Sequence, residues 1–247
     1  MTSPLPAAAL WDMDGTLVDT EPYWMAAEVE LFASFGLTWT HEDGLQVIGL
    51  GLWESAELFR RHGVDLEPDA IVNRLTDRVR ELVAERGVPW RPGARELLNA
   101  LREASVPSAL VTMSVRRMAE DIVAAIPFDA FDLIVPGDEV TEPKPHPEPY
   151  LRAAELLGVD IADCVAFEDS RAGVTSAAAS GAVTIGLPNL QDLSGTAADL
   201  LWDGLEGRTA GDVADAVAQV RRGAGRNLGR ATDVPAGAMT DASKETS

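Results

Sequence analysis

Asp12 and Asp14 stand two residues apart in Asp12-Met13-Asp14-Gly15-Thr16-Leu17-Val18-Asp19, directly after the apolar run Ala8-Ala9-Leu10-Trp11. If that run is a strand of an open α/β sheet, the two carboxylates lie beyond its carboxyl end, where such sheets collect their ligands. Held there, they can divide the labour of phosphoryl transfer. Asp12 would attack phosphorus and form an aspartyl-phosphate. Asp14 would protonate the leaving alkoxide and then take a proton from the water that hydrolyses the intermediate. Gly15 permits the sharp turn that presents both. The same segment would also serve as a plain Asx-turn leaving a strand, and alone it does not choose between the two.

Three further segments bear on that choice. Thr112-Met113-Ser114 follows the apolar run Ala109-Leu110-Val111 and offers a hydroxyl and turn amides to phosphate oxygens, although Thr and Ser also end many strands. Lys144 sits among four prolines in Glu142-Pro143-Lys144-Pro145-His146-Pro147-Glu148-Pro149. Its one fellow lysine is Lys244, close to the C-terminus, and every other basic residue is arginine. A lone lysine on a stiff segment suits a task that needs a compact point charge, such as stabilising a phosphoryl group and neutralising Asp12. A solvated surface lysine is the plainer alternative. Glu168-Asp169-Ser170 follows Val165-Ala166-Phe167, and an acidic pair at a strand end suits Mg²⁺. Asp12, Asp169 and the Asp14 carbonyl would supply its ligands, with Glu168 direct or through water. An acidic helix N-terminus would account for Asp169 and Ser170 equally simply.

Charge limits the partners. The 247 residues carry 20 basic and 40 acidic side chains, a formal net charge of −20. That field repels nucleic acid and anionic membrane, so neither is expected as a partner. It repels phosphates as well, so a phosphate site here needs its own local cations. The chain has one cysteine, Cys164, which rules out an internal disulfide and favours a reducing, cytoplasmic setting. With no apolar run long enough to span a bilayer, a soluble monomer is expected.

The elements that must position these groups are legible as apolar runs. Strands are expected at 8–11, 109–111, 133–135, 165–167 and 183–185, with helices near 93–104, 115–125, 147–157 and 171–180. Strand alternating with helix implies a Rossmann-like parallel α/β sheet with helices on both faces. Between the first two strands lies a long helical insertion, with apolar residues at helical spacing in Tyr23–Phe35, Trp53–Arg61 and Asp69–Arg86. The expected division is a discontinuous core of residues 1–18 and 89–222 and an inserted all-helical domain of residues 19–88. Residues 223–247 lack apolar periodicity and are expected to form a disordered tail. His41, His62 and His146 have no second ligand at metal spacing and read as surface or turn residues.

The four segments in this order and spacing, from about Leu10 to Leu187, resemble the haloacid dehalogenase superfamily. Its order is Asp-x-Asp-x-Thr, a strand-end Thr or Ser, a Lys and an acidic pair. The resemblance implies a mobile helical cap and Mg²⁺-dependent phosphoryl transfer through Asp12. Catalytic duties would fall to Asp12, Asp14, Thr112 and Lys144, and the metal to Asp12, Asp14, Glu168 and Asp169. A small phosphorylated metabolite would contact Thr16, Thr112, Met113, Ser114 and Lys144.

Dehalogenases of the superfamily lack the second aspartate, and phosphonate-cleaving members need a cap lysine that residues 17–90 do not contain. A mutase resembling β-phosphoglucomutase is the harder rival, since Asp14, Thr20 and Lys144 fit it too. That mutase grips a second phosphate with a cap arginine and has a histidine in the first cap helix. Gly49-Leu50-Gly51-Leu52-Trp53-Glu54-Ser55 offers no cation, and Trp24 stands about where the histidine would fall. A phosphatase is therefore favoured. A catalytically silent phosphate-binding module is the alternative of another class, disfavoured because such a module has no need of the whole set. From the cap, Gly49 and Trp53 are the expected substrate contacts, with Trp53 equally able to serve as cap core.

Overall fold

The computed structural model describes residues 3–231. The strands are β1 (Ala8–Trp11), β2 (Ser108–Val111), β3 (Leu133–Val135), β4 (Cys164–Glu168), β5 (Val183–Gly186) and β6 (Leu200–Leu201). They form one parallel sheet in the order β3-β2-β1-β4-β5-β6. Both faces of such a sheet are covered, which is why its central strands read as unbroken apolar runs instead of alternating ones. β1, β2, β4 and β5 are buried along their whole length.

Successive side chains on β1 serve opposite layers. Ala9 and Trp11 share a core with Leu97 of α5 (Ala94–Glu103), Met118 of α6 (Arg116–Ala124) and Val213 of α9 (Ala210–Ala231). Ala8 and Leu10 pack instead with Tyr150 and Ala153 of α7 (Glu148–Leu157) and Ala177 of α8 (Arg171–Ser180). Trp11 and Phe167 lie side by side in the β1–β4 register, with ring centroids 4.2 Å apart. This aromatic pair fixes the two strands that carry Asp12 and the acidic pair.

The insertion is helical, as the spacing predicts: α1 (Glu21–Ser34), α2 (His41–Gly44), α3 (Leu52–Arg61) and α4 (Pro68–Arg86). α4 packs on both α1 and α3. The centre of the cap is aromatic, with Phe32 stacked on Trp39 at 4.3 Å and Phe59 edge-on to both. The chain enters and leaves this cap side by side. The Asp19 amide donates to the Pro89 carbonyl at 2.8 Å, and the Arg91 amide to the Leu17 carbonyl at 2.9 Å.

The periodicity leaves three elements unread: the one-turn α2, the two-residue β6 and the long α9. α9 continues to Ala231, so residues 223–231 are helical where a disordered tail is expected. A helix already formed on the packed Val213 and Val217 extends without a further nucleation cost. The rest of the expected tail lies outside the described residues. Among the described residues, no helix is long and apolar enough to cross a membrane.

Because the aromatic pair joins β1 to β4, Phe167→Ala is expected to destabilise the fold by about 3–5 kcal/mol, measured by chemical denaturation. A loss under about 1 kcal/mol would show that the site strands are held by something else.

Candidate active site

β1 lies between β2 and β4, so three strand ends meet at one edge of the sheet. Register places Trp11 beside Leu110 and Phe167, which sets Asp12 level with Val111 and Glu168. Thr112 follows β2, and Glu168 and Asp169 end β4 and leave it. Lys144 comes from the proline-rich segment before α7 and is buried, at 8% exposure. Its ammonium donates to Asp12 Oδ1 at 2.8 Å, Glu168 Oε1 at 2.6 Å and the Val111 carbonyl at 2.9 Å. All three ammonium donors are used, as a buried cation requires.

Glu168 has no exposed surface and is held by other donors as well. Tyr150 Oη donates to its Oε1 at 2.7 Å, and the Ser170 hydroxyl to its Oε2 at 3.3 Å. Burial and the neighbouring Glu168 push the Asp12 carboxyl up to about 7, against the pull of Lys144. Asp169 is raised well above the carboxylate range by burial and by Asp12 and Glu168. Burial would lower Lys144, but the Asp12 and Glu168 carboxylates outweigh it and raise the ammonium above its ordinary value. Lys144 is the one cation in direct contact with these carboxyls, Arg91 acting on Asp169 more weakly, and the site has negative charge to spare.

The residues present fit a divalent metal. Asp12, Glu168 and Asp169 each offer an oxygen within 4.8 Å of the others. Asp12 Oδ2 is buried with no hydrogen-bond partner, a vacancy that a hard cation with oxygen ligands would satisfy. Gly15, at φ +87°, closes against the Asp169 carboxylate, which a β-carbon at that position would strike.

Asp14 points away from Asp12's partners. It accepts from the hydroxyls of Thr20 and of Ser114, the latter at 2.7 Å, and from Trp24 Nε1 at 3.3 Å. Trp24 belongs to α1, so the second aspartate is hydrogen-bonded directly to the cap. Thr112 Oγ1 accepts from the Ser114 amide at 3.0 Å and shapes the turn after β2.

Core and cap enclose a cavity of about 130 Å³. Asp12, Asp14, Thr112, Met113, Ser114, Lys144 and Asp169 line its floor. Glu21, Trp24, Glu28, Gly49 and Ser55 line the cap side. Gln191, from the loop after β5, joins the halves: its Nε2 donates to the Ile48 carbonyl at 2.9 Å, and its Oε1 accepts from the Arg171 amide at 2.8 Å. Gly49 takes φ +80° against that same Gln191 side chain, which leaves no room for a β-carbon. It admits the latch as well as lining the cavity.

Two expected contacts lie elsewhere. Trp53 is on the outer side of α3, 37% exposed, with Nε1 donating to Asp69 at 2.8 Å, so it neither lines the cavity nor fills the cap core. Helical spacing turns Ser55 inward when Trp53 faces out. Thr16 is buried behind the wall, and its hydroxyl reaches Asp169 at 3.5 Å instead of substrate space. His146 is the turn residue its spacing suggests, with Nδ1 accepting from the Glu148 amide at 3.2 Å. Glu28, Tyr150 and Gln191 were not legible as site residues. For Glu28 a signal existed: Glu21, Trp24 and Glu28 recur on one helical face, and an acid on the packed face of a helix is uncommon.

The sequence pattern of the family described as haloacid dehalogenase-like hydrolase matches residues 9–187. Protein CbbY of Rhodobacter capsulatus is 36% identical over 185 residues, covering 70% of this chain and 82% of that protein. Hexitol phosphatase B of Escherichia coli (strain K12) is 33% identical, covering 73% and 83%. A crystal structure of CbbY from Rhodobacter sphaeroides in complex with xylulose-(1,5)bisphosphate is 30% identical, with TM-score 0.75 over 82% of this chain and 96% of that one.

Glu28 carries a pH signature. Burial raises its carboxyl to about 8, with Glu21 adding to the rise against the Trp39 hydrogen bond; burial and Asp14 raise Glu21 to about 7. A folded-state pKa above the unfolded value of about 4 favours the fold below that value and loses the contribution as pH rises through 7 to 8. The metal-free protein should therefore melt at a lower temperature at about pH 8.5 than at about pH 6. Glu28→Gln should flatten that slope in scanning calorimetry; an unchanged slope would remove Glu28 as its source.

Proposed function

The chain belongs to the haloacid dehalogenase-like hydrolases, and we propose that it is a phosphatase of small phosphorylated sugars or polyols whose nucleophile is Asp12. The observation that carries this reading is the environment of Asp12. One oxygen is fixed by Lys144 and the other is buried without a partner at the floor of the cavity. The relative named hexitol phosphatase B supports the substrate class.

The substrate phosphate would lie over Asp12, against Met113 and Ser114, with the Lys144 ammonium beneath it. Mg²⁺, the implied cofactor, would be held by Asp12, Asp169 and the Asp14 carbonyl, and supplies the positive charge that lets an anionic nucleophile meet a phosphate dianion. Glu168 is spoken for by Lys144, Tyr150 and Ser170, so its contribution is to hold Lys144 and to add charge near the metal.

The Asp12 carboxylate attacks phosphorus, and the bond from phosphorus to the leaving oxygen breaks as Asp14 gives that oxygen a proton. Asp14 then takes a proton from water, whose oxygen attacks phosphorus. The Asp12–phosphorus bond breaks, inorganic phosphate leaves and the Asp12 carboxylate is restored. Trp24, Thr20 and Ser114 aim Asp14, so its proton transfers depend on where the cap sits.

Asp12→Asn should lower phosphate release by more than about a thousandfold across a panel of sugar and polyol phosphates, because an amide is a poor nucleophile. Turnover within about tenfold of the parent would end the assignment. Asp14→Asn should slow turnover by about 10²–10⁴-fold while Mg²⁺ binding, followed by calorimetry, stays close to that of the parent. Isomerisation of β-glucose 1-phosphate without net phosphate release would make the chain a mutase instead.

A further inference from the structure

The cap side of the cavity is largely apolar, with Val47, Ile48, Leu50, Phe59 and Leu75, and Glu21, Glu28 and Ser55 are its carboxyl and hydroxyl groups. Glu28 is buried at 5% exposure, yet among the described residues its one hydrogen bond is from Trp39 Nε1 to Oε2, at 3.0 Å. Its side chain lines the cavity. Glu21 lines the same wall one helical face along α1, and Ser55 of α3, 7% exposed, faces them with no protein partner for its hydroxyl among the described residues. Lys144 is the one cation among the described lining residues, and its three donors are already taken. Arg171 stands nearby, but its guanidinium donates to the Asp192 and Ser194 carbonyls instead.

Resting on the phosphatase reading, we infer that this wall selects substrates with a single phosphate and an uncharged, hydroxyl-bearing remainder, and excludes those with a second phosphate. Glu21, Glu28 and Ser55 are its specificity-determining contacts. Carboxyl oxygens and a serine hydroxyl match polyol hydroxyls, which donate and accept in turn. A second phosphate dianion would lose its hydration in this wall and find no counter-charge, whether Glu21 and Glu28 carry charge or protons. Ionised, they would repel it outright.

The experiment compares phosphate release, with Mg²⁺ at about pH 8.5, from p-nitrophenyl phosphate, a hexitol 6-phosphate and the matching hexitol 1,6-bisphosphate. That pH lies above the values to which burial raises both carboxyls, about 7 for Glu21 and about 8 for Glu28. The expected kcat/KM is at least about thirtyfold higher for the monophosphate than for the bisphosphate. Glu28→Gln and Glu21→Gln should each narrow that ratio by about threefold or more, chiefly through a lower KM for the bisphosphate. Ser55→Ala should raise KM for the hexitol phosphate more than for p-nitrophenyl phosphate, which has no hydroxyls. Equal use of both hexitol compounds, or a ratio unmoved in both glutamine variants, would overturn the inference while leaving the phosphatase intact. No release from any of the three would instead sink the phosphatase reading. Calorimetric binding of the same mono- and bisphosphate pair would then still decide the selectivity.

Discussion

One buried ammonium group holds the site together. Lys144 joins Asp12 after β1, Glu168 at the end of β4 and the Val111 carbonyl at the end of β2, so its three hydrogen bonds tie three neighbouring strand ends. In a chain with formal charge −20, gathering carboxyls at one sheet edge would fail without a cation that cannot drift into solvent. Tyr150 and Ser170 fill out the Glu168 partners, so the lysine is buffered from behind by a carboxylate that is itself fixed. The arrangement still leaves Asp12 with one oxygen unpaired and Asp169 raised, which is the electrostatic setting a divalent cation completes.

Around that centre the core and the cap have separate duties. The core supplies charge and geometry that do not depend on what the phosphate is attached to. The cap supplies Trp24 to Asp14, which ties that side chain to the cap, and it supplies Glu21, Glu28 and Ser55 to the cavity. Gln191, a side chain of the core loop after β5, bridges the two at Ile48 and Gly49. The polarity of the wall follows from α1, which packs an acid among its apolar residues and steadies it with one indole hydrogen bond.

Much of the fold was legible. Short, wholly apolar runs at 8–11 and 165–167 could be read as strands buried on both faces, and the three-and-four spacing of α1, α3 and α4 announced a helical insertion. β6 was not, because two residues carry no periodicity, and α9 was obscured by its glycines. Within the site, Asp12 and Asp169 were marked by residue type at strand ends and Lys144 by its rarity on a proline-stiffened segment. Trp53 misled because a lone aromatic beside glycines suggests a flat-ligand contact, while its helix turns it outward onto Asp69. Tyr150 and Gln191 gave no signal, since a tyrosine in an apolar helix and a glutamine in a loop are ordinary.

The sequence by itself determined the parallel sheet with its inserted helices, and the chemical kind of the floor: carboxylates, one lysine and strand-end hydroxyls in a fixed order. Those follow from local patterns, because strand burial and strand-end position are written in runs of a few residues. Only the tertiary structure decided which oxygen of Asp12 is free, that Glu168 serves Lys144, that Asp14 is tied to the cap, and that the cap side of the cavity holds two glutamates and no arginine. Each of these depends on distance and burial between segments up to 153 residues apart, such as Thr16 and Asp169, and no local pattern encodes such a meeting.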